Sequence, residues 1–325
     1  MAKKKATSIT IFDQEILPGE SRELNFSFAK LHTNTPIDVP VFVERSNYEG
    51  PTVLFTAGIH GDEVNGVEIV RQLVSKGINK PKIGSTICIP IINIFGFLQK
   101  LRDFPDGRDL NRSFPGSKSG SLAAQVAFKL MNEIVPHADY CIDFHTGGSS
   151  RFNAPHLRIV NGDPQLAELA TIFGAPFVLY SKNLKKSFRS ACRTKGVPLL
   201  LFEGGKSNSI DPSVSNTGVN GSKRILNHLG MLQKKFKVSS PAKPSVTIAK
   251  SNWVRAQYSG MFKSSVKVGS FIKTGDTIGH ITDPYGKFHH FIKAKHGGYV
   301  FNVNEGPIVY QGDALFHIST EINNG

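Results

Sequence analysis

The sequence predicts an α/β fold with a mixed, largely parallel sheet, followed by a small all-β domain. Before residue 240, short apolar runs alternate with segments of helical period, which is typical of a sheet covered by helices on both faces. After residue 246 the helical period is absent, and glycines separate short β-rich runs. The stretch SSPAKPS at 239–245 has the small residues and prolines of a linker. We therefore expect a larger domain over residues 1–240 and a β domain over residues 246–325.

The first strand and helix of the larger domain have the clearest pattern. Val53–Ala57 is an apolar run that ends at Gly58. Apolar residues then recur at helical spacing over 64–74, and the pattern stops at Gly77. Three further buried strands are predicted at Thr86–Ile92, Tyr140–Phe144 and Leu199–Phe202, with a helix at about Ser121–Val135.

The β domain contains an internal repeat. Residues 269–281 match residues 306–318 at an offset of 37 residues, with a glycine, a Gly-Asp pair and a His-Ile pair in register. Such a repeat predicts two related halves around one shared core.

The chain is strongly basic. It carries 39 Lys and Arg against 25 Asp and Glu, a net charge of +14, of which residues 1–245 carry +11. This excess favours nucleic acid, an anionic membrane or small acidic molecules as partners. The sequence has no nucleic-acid-binding signature and no membrane-spanning run, so we expect a small acidic partner. We interpret the six basic residues of the run 182–195 as a solvated surface; whether this run contacts a substrate stays open.

The cysteines and the first residues bear on location. Three widely spaced cysteines without a CxxC pair argue against a disulfide framework or a cysteine metal site. The opening MAKKKATSIT lacks the apolar run of a signal peptide. We therefore expect a soluble, cytoplasmic protein.

Two motifs at predicted strand ends carry metal-binding side chains. His60 and Glu63 are three residues apart where a strand meets a helix, so both side chains can converge on one point. His145 follows a second strand, which gives the two imidazoles and one carboxylate of an open zinc site. Each residue alone has an ordinary alternative: Glu63 can favour a helix N-terminus, and His145 can be a structural residue. Asp143 is either a partner of a metal ligand or part of a structural ion pair.

Two further segments carry acid-base and anion-binding groups. Glu203 follows the strand over 199–202, and a carboxylate beside a metal site can take a proton from water. Arg102 and Arg112 lie in the segment 93–116, where arginine can bind a carboxylate or stabilise an oxyanion, and Asn111 can add a neutral donor. Arg112 can instead pair structurally with Asp109 or Asp106.

Taken in order, these segments resemble the succinylglutamate desuccinylase and aspartoacylase family of zinc carboxypeptidase-like hydrolases, over about residues 50–210. The resemblance implies a carboxypeptidase-like catalytic fold followed by a smaller β domain. It also implies one zinc ion per chain, with His60, Glu63 and His145 as its ligands.

The resemblance implies further roles for four residues. Arg102 stabilises the oxyanion, Asn111 and Arg112 hold the carboxylate end of the substrate, and Glu203 is the general base. The residues Asn93-Ile94, the long segment 102–109 and the phrase DLNRSFPG are similar to a deacylase-like branch that includes deacetylases of N-acetyl-diaminobutyrate. The acyl group and the amine stay open.

The β domain resembles the barrel-sandwich hybrid of biotinyl and lipoyl carriers. Lys287 lies at the matching hairpin tip, but the Met-Lys-Met context is absent, so we expect this lysine to be unmodified. We expect the domain to cover the catalytic mouth or to mediate homo-oligomerisation. His289, His290 and His296 are expected to be sheet or turn residues rather than a second metal site.

The sequence therefore predicts a zinc-dependent amidohydrolase that acts on the linear amide of a small, carboxylate-bearing N-acyl amino acid or diamino acid. Two alternatives stay open. One is a zinc carboxypeptidase acting on short peptides. The other is a non-catalytic protein that binds anions or nucleic acid.

Overall fold

The computed structural model describes residues 4–323, so the outermost residues of both predicted domains, 1–3 and 324–325, lie outside it. Its strands are β1 (Ile9–Ile11), β2 (Gln14–Ile16), β3 (Ser21–Lys30), β4 (Pro36–Arg45), β5 (Thr52–Ala57), β6 (Ser85–Ile89), β7 (Tyr140–Gly147), β8 (Arg151–Ile159), β9 (Phe177–Tyr180), β10 (Leu199–Lys206), β11 (Val246–Arg255), β12 (Gly260–Ser264), β13 (Phe271–Ile272), β14 (Thr277–Thr282), β15 (His289–Lys293), β16 (Gly298–Asn304), β17 (Ile308–Val309) and β18 (Ala314–Asn323). Its α-helices are α1 (Val64–Ser75), α2 (Ile94–Gln99), α3 (Leu122–Lys129), α4 (Pro164–Phe173), α5 (Phe188–Thr194) and α6 (Pro212–His228). Short 3-10 helices occupy Leu110–Arg112 and Val135–His137, and a π-helical turn at Leu130–Ile134 follows α3.

One twelve-stranded sheet organises the molecule, in the order β13-β16-β18-β11-β9-β8-β10-β7-β5-β6-β4-β3. Its centre, β10-β7-β5-β6, is parallel. The flanks are mostly antiparallel: β3 and β4 form a hairpin on one side, and β8 runs antiparallel to β10 on the other. The sheet is therefore mixed, and the predicted parallel arrangement holds at its centre.

Helices cover both faces of this centre, as predicted. Along β5 the side chains alternate: Val53 and Phe55 pack with α1, α4 and α6 in one core, whereas Leu54 packs with α3 and α5 in the other. This alternation follows from the two-residue period of a strand. The sequences of the parallel strands are continuous apolar runs because both faces of these strands are buried.

The predicted elements are present, with shifted ends. The helix predicted to begin at Ser121 does so, since the Ser121 side chain caps α3. The strands predicted to end at Phe144 and Phe202 continue to Gly147 and Lys206. His145 and Glu203 therefore lie inside β7 and β10, opposite each other in the parallel register, rather than just beyond the strands. The extensions form because flanking strands continue to pair with these residues.

Residues 246–323 contain strands and turns but no helix. The predicted repeat is visible: in each half a short strand leads through a turn into a long strand, β13 into β14 and β17 into β18. The turn glycines Gly275 and Gly312 both have positive φ, at 88° and 93°. The following Asp276 and Asp313 both accept a backbone N–H three residues upstream. Local chemistry therefore repeats along with the sequence.

The β region has a core of its own but is joined to the larger region through the sheet. Strand β11 pairs parallel with β9, and β16 pairs antiparallel with β8. A small apolar cluster that includes Phe177, Leu179, Ile248 and Phe301 is shared by both regions. The predicted linker 239–245 lies between the residues that form the cores of the larger region and those that form the core of the β region. Strand pairing nevertheless joins the two regions.

Within residues 4–323, no helix has the length and apolar character required to cross a membrane.

Candidate active site

Three predicted metal-binding residues meet at the carboxyl side of the parallel strands. His60 Nδ1 lies 2.7 Å from Glu63 Oε1, and His145 Nδ1 lies 2.8 Å from Glu63 Oε2. One ligand atom from each of the three side chains lies within 4.8 Å of the others, and all three residues are buried. Glu63 occupies the N-cap position of α1, but its side chain makes no capping hydrogen bond. Its carboxylate faces the two imidazoles, so it does not serve as a helix cap.

Each imidazole also has a carboxylate on its second nitrogen. Asp143 Oδ2 lies 2.8 Å from His145 Nε2, and Asp109 Oδ1 lies 3.2 Å from His60 Nε2. Thr56 donates its hydroxyl to the other oxygen of Asp143 at 2.8 Å. Such carboxylate partners fix the tautomer and the orientation of imidazoles that bind metals. The contact of Asp143 with His145 fits both interpretations, the partner of a metal ligand and a buried ion pair.

The electrostatics of this cluster are set by burial and by charge pairing. Burial alone would lower the pKa of His145, but the negative charges of Asp143 and Glu63 raise it well above the usual value. Burial alone would raise the pKa of Glu63, but His60 and His145 lower it strongly. The carboxylate of Glu63 therefore stays ionised.

Arg102 lies beside the same cluster. It donates to Asp109 Oδ2 at 2.8 Å and to Glu63 Oε1 at 3.4 Å. Because Asp109 also contacts His60, one network of hydrogen bonds joins the arginine to the three-residue group. The side chain of Arg102 is 37% exposed, so its guanidinium can still meet a ligand in the cavity.

Glu203 lies on the neighbouring strand with a set of partners of its own. Its Oε1 forms an ion pair with Arg158 Nε at 2.9 Å, and its Oε2 accepts a hydrogen bond from Asn153 Nδ2 at 2.7 Å. Burial would raise the pKa of Glu203, but the positive charge of Arg158 lowers it. Glu203 is therefore held as a carboxylate with both oxygens oriented.

Asn111 and Arg112 lie on the short 3-10 helix that borders the cavity. Asn111 Oδ1 accepts the backbone N–H of Phe188 at 2.8 Å, which fixes the amide and leaves its NH₂ group as the donor. Arg112 donates to the carbonyl of Asn111 at 2.7 Å and forms no ion pair among the described residues. The structural pairing of Arg112 with Asp109 or Asp106 is therefore wrong, because Arg102 and Arg108 occupy those carboxylates.

All seven predicted site residues line one cavity of about 1350 Å³. Its wall is rich in cations, and two of the six basic residues of the run 182–195 line it, Lys182 and Arg189. Arg189 is buried and donates to the carbonyls of Arg158 and Lys182, and its loss of solvent lowers its pKa to about 10. The run is thus only partly a solvated surface.

The sequence-based prediction missed several residues of this cavity. Asn153, Arg158 and Arg189 come from the larger region, and Trp253 and Asn302 come from the β region. One local signal exists for Asn153 and Arg158. The segment RFNAPHLR at 151–158 places polar residues between apolar ones shortly after the glycines at 147–148. Trp253 and Asn302 lack such a signal, because strand pairing alone brings them to the site.

Among the described residues, no histidine of the β region belongs to a group of three or more potential metal ligands. His280 and His289 form an edge-to-face ring pair at 5.1 Å between β14 and β15. Among residues 4–323 the group of His60, Glu63 and His145 is the one set able to hold a metal ion.

Comparison with known proteins agrees with this geometry. The profile of the succinylglutamate desuccinylase/aspartoacylase catalytic domain matches residues 49–229, more than half of the chain. The chain belongs to this family. An N-alpha-acetyl-L-2,4-diaminobutyric acid deacetylase from Halomonas elongata is 28% identical over 256 residues, which cover 75% of this chain and 74% of that protein.

Solved structures extend the likeness to the β region. A succinylglutamate desuccinylase/aspartoacylase from Rhodobacter sphaeroides is 25% identical with a TM-score of 0.81, over 97% of this chain and 100% of that one. The product-bound ectoine utilization protein EutE (DoeB) from Ruegeria pomeroyi shares the fold, at 22% identity and a TM-score of 0.81, over 93% of this chain and 95% of that one. The deacylating members of this family hydrolyse amide bonds, which is the chemistry expected of the cavity.

Proposed function

We propose that the protein is a zinc-dependent amidohydrolase that removes the acyl group from a small N-acyl amino acid or N-acyl diamino acid. The observation that carries this proposal is the convergence of His60, Glu63 and His145 with Glu203 in one arginine-lined cavity. The membership of the chain in a family with deacylating members supports the reaction class.

The donor set fits zinc. Two imidazole nitrogens and one carboxylate are typical ligands of catalytic zinc, which keeps a fourth position open. The nitrogen atoms that face Glu63 are the ones that would bind the metal, because Asp109 and Asp143 engage the other nitrogen of each ring. A zinc ion held by these three residues would polarise the acyl carbonyl and lower the pKa of a water.

The chain supplies the proton transfers and the charge stabilisation. Glu203 takes a proton from the attacking water and then delivers it to the leaving nitrogen. Its two oxygens are oriented by Arg158 and Asn153, so the proton is exchanged at a defined place. Arg102 stabilises the negative charge that develops on the acyl oxygen.

The substrate is expected to carry a free carboxylate. Arg112 is not paired with any carboxylate among residues 4–323, and a guanidinium binds a carboxylate through two parallel hydrogen bonds. The NH₂ group of Asn111 is available beside it. The Halomonas relative acts on an acetylated diamino acid, so N-acetyl diamino acids are the first candidate substrates.

The experiment is a hydrolysis screen with zinc-loaded protein. N-acetyl and N-succinyl derivatives of amino acids and diamino acids are compared with dipeptides, and release of the free amine is measured. We expect turnover of one or more N-acyl derivatives and none of dipeptides. The reverse result would identify a carboxypeptidase, and no turnover with zinc bound would contradict the proposal.

Glu203→Gln tests the general base. The amide cannot accept a proton, so the variant should keep its zinc and lose turnover by at least about a hundredfold. Glu23→Gln is the matched control, because Glu23 is exposed on the distant strand β3. A Glu203→Gln variant with near wild-type rate would assign the base to another residue.

We also propose the cytoplasm as its location. Cys88, Cys141 and Cys192 are buried free thiols, which supports a reducing compartment.

A further inference from the structure

A chain of two amides joins Glu203 to the β region. Asn153 Nδ2 donates to Glu203 Oε2 at 2.7 Å, and Asn302 Nδ2 donates to Asn153 Oδ1 at 2.6 Å. Both asparagines are 3% exposed. Asn302 lies on β16 directly opposite Asn153 of β8, in a pairing that spans only three residues. The contact therefore sits where the β region meets the catalytic strands.

The carboxylate of Glu203 determines which group donates and which accepts in both hydrogen bonds. An ionised carboxylate only accepts hydrogen bonds, so Asn153 must turn its NH₂ group toward Glu203. Its carbonyl oxygen then faces Asn302, which must donate in turn. Without Asn302, Asn153 Oδ1 would be a buried acceptor without a donor from the chain, and the amide could turn toward another partner.

Packing does not account for an asparagine at position 302. Its Oδ1 is buried and has no hydrogen-bond partner among the described residues. A buried amide with an unmatched acceptor destabilises a fold relative to a satisfied one. Position 302 is flanked on β16 by Phe301 and Val303, which are buried apolar residues. Among the described residues, the one hydrogen bond that the Asn302 side chain makes is the bond to Asn153.

We propose that Asn302 is a positioning residue for the general base: through Asn153 it holds Glu203 Oε2 in the orientation that proton transfer requires. The β region is then part of the catalytic apparatus rather than a cover over it. This inference rests on the proposed function of Glu203.

The kinetic test uses the zinc-loaded full-length protein and the best substrate from the screen. Asn302→Ala should lower kcat by about tenfold, as loss of an outer hydrogen-bond partner typically does, while KM and zinc content change less than about twofold. Asn302→Leu nearly keeps the volume of the side chain but has no donor, so it should lower kcat at least as much. Wild-type kcat in Asn302→Leu would show that only volume matters and would overturn the proposal.

A double-mutant cycle separates positioning from general support. If Asn302 acts through Asn153, then Asn302→Ala should have no further effect on kcat in an Asn153→Ala background. If the double variant instead loses kcat by the product of the two separate effects, Asn302 acts by a route other than Asn153 and the proposal is overturned. Asn304→Ala is the control: Asn304 lies on the same strand but contacts Ala314 and Gly306 within the β region, so kcat should be unchanged.

A spectroscopic test requires no activity. In protein labelled with ¹⁵N-asparagine, the side-chain NH₂ signal of Asn153, assigned by its loss in Asn153→Ala, should shift in Glu203→Gln and in Asn302→Ala, but not in Asn304→Ala. If the Asn153 signal does not shift in Asn302→Ala, the proposed hydrogen-bond chain from Asn302 to Glu203 is overturned. If the signals shift as expected but the protein hydrolyses no N-acyl substrate, the hydrogen-bond chain is supported and the proposed function is contradicted.

Discussion

Acidification should destabilise the protein through His156, which lies between the two regions. The His156 ring is fully buried, its Nδ1 is 2.8 Å from the carbonyl of Ala154, and it packs edge-to-face on Phe301. Its Nε2 has no partner among residues 4–323. Loss of solvent, together with the positive charge of Arg158, lowers the pKa of His156 from 6.5 to about 4. The folded protein therefore holds this imidazole neutral.

The sign and size of the effect follow from proton linkage. Between pH 6.5 and 4 the unfolded chain binds a proton at His156 that the folded chain does not, so the free energy of unfolding falls as the pH falls. Since one pKa unit corresponds to 1.36 kcal/mol, the full loss is about 3 kcal/mol, reached below pH 4. At pH 5 it is about 2 kcal/mol.

The assay compares urea unfolding at pH 7.5 and pH 5.0 for the wild type and His156→Asn. Asparagine keeps an N–H that can reach the carbonyl of Ala154 but does not titrate. Between pH 7.5 and pH 5.0 the free energy of unfolding of the wild type should fall by about 2 kcal/mol more than that of His156→Asn. His32→Asn is the control, because His32 is exposed. The free energy of unfolding of this control should fall by the same amount as that of the wild type. Equal losses in the wild type and His156→Asn would refute the reasoning.

Three further predictions concern the site and its support. His60→Ala should bring the zinc content, measured by plasma mass spectrometry, well below one per chain, because two remaining ligands hold zinc weakly; full occupancy would contradict the ligand assignment. Arg112→Lys should reduce the preference for N-acyl amino acids over the matching carboxamides about tenfold, since lysine lacks the bidentate geometry; equal wild-type rates on both would disprove carboxylate recognition. Gly66→Ala should lower the free energy of unfolding by about 1–3 kcal/mol, because its Cβ would lie 2.6 Å from the carbonyl oxygen of Phe144; an unchanged urea midpoint would show that α1 can shift freely.

The parts of the fold that could be predicted are those with a local cause. The strand Val53–Ala57 and the helix after it could be predicted because burial leaves a pattern in the sequence. A strand buried on both faces is a continuous apolar run, and a helix buried on one face has apolar residues at helical spacing. His60 and Glu63 could be paired because three residues separate them. Their meeting with His145 required the further rule that parallel strands present their ends at one edge of the sheet.

What could not be predicted depends on pairing between distant segments. Asp109 meets His60 across 49 residues, and Asn302 meets Asn153 across 149 residues. Neither contact leaves a periodic trace, since each arises from loop geometry or strand register. The ends of β7 and β10 were misjudged for a related reason: glycine-rich stretches usually end strands, but here neighbouring strands keep the residues after Phe144 and Phe202 extended.

The crossing of the sheet from one region to the other has a consequence for how the chain is made. Strand β9 has β11 as its outer neighbour, and Phe177 and Leu179 are covered by Ile248 and Phe301. A ribosome releases the polypeptide from its N-terminus, so a nascent chain that has reached only residue 240 displays an unpaired strand edge with apolar side chains beside it. The pairing of β8 with β16 can form only after residues 302–304 have been made. Until then the growing chain carries an aggregation-prone edge, so chaperone protection should matter while residues 241–304 are being made.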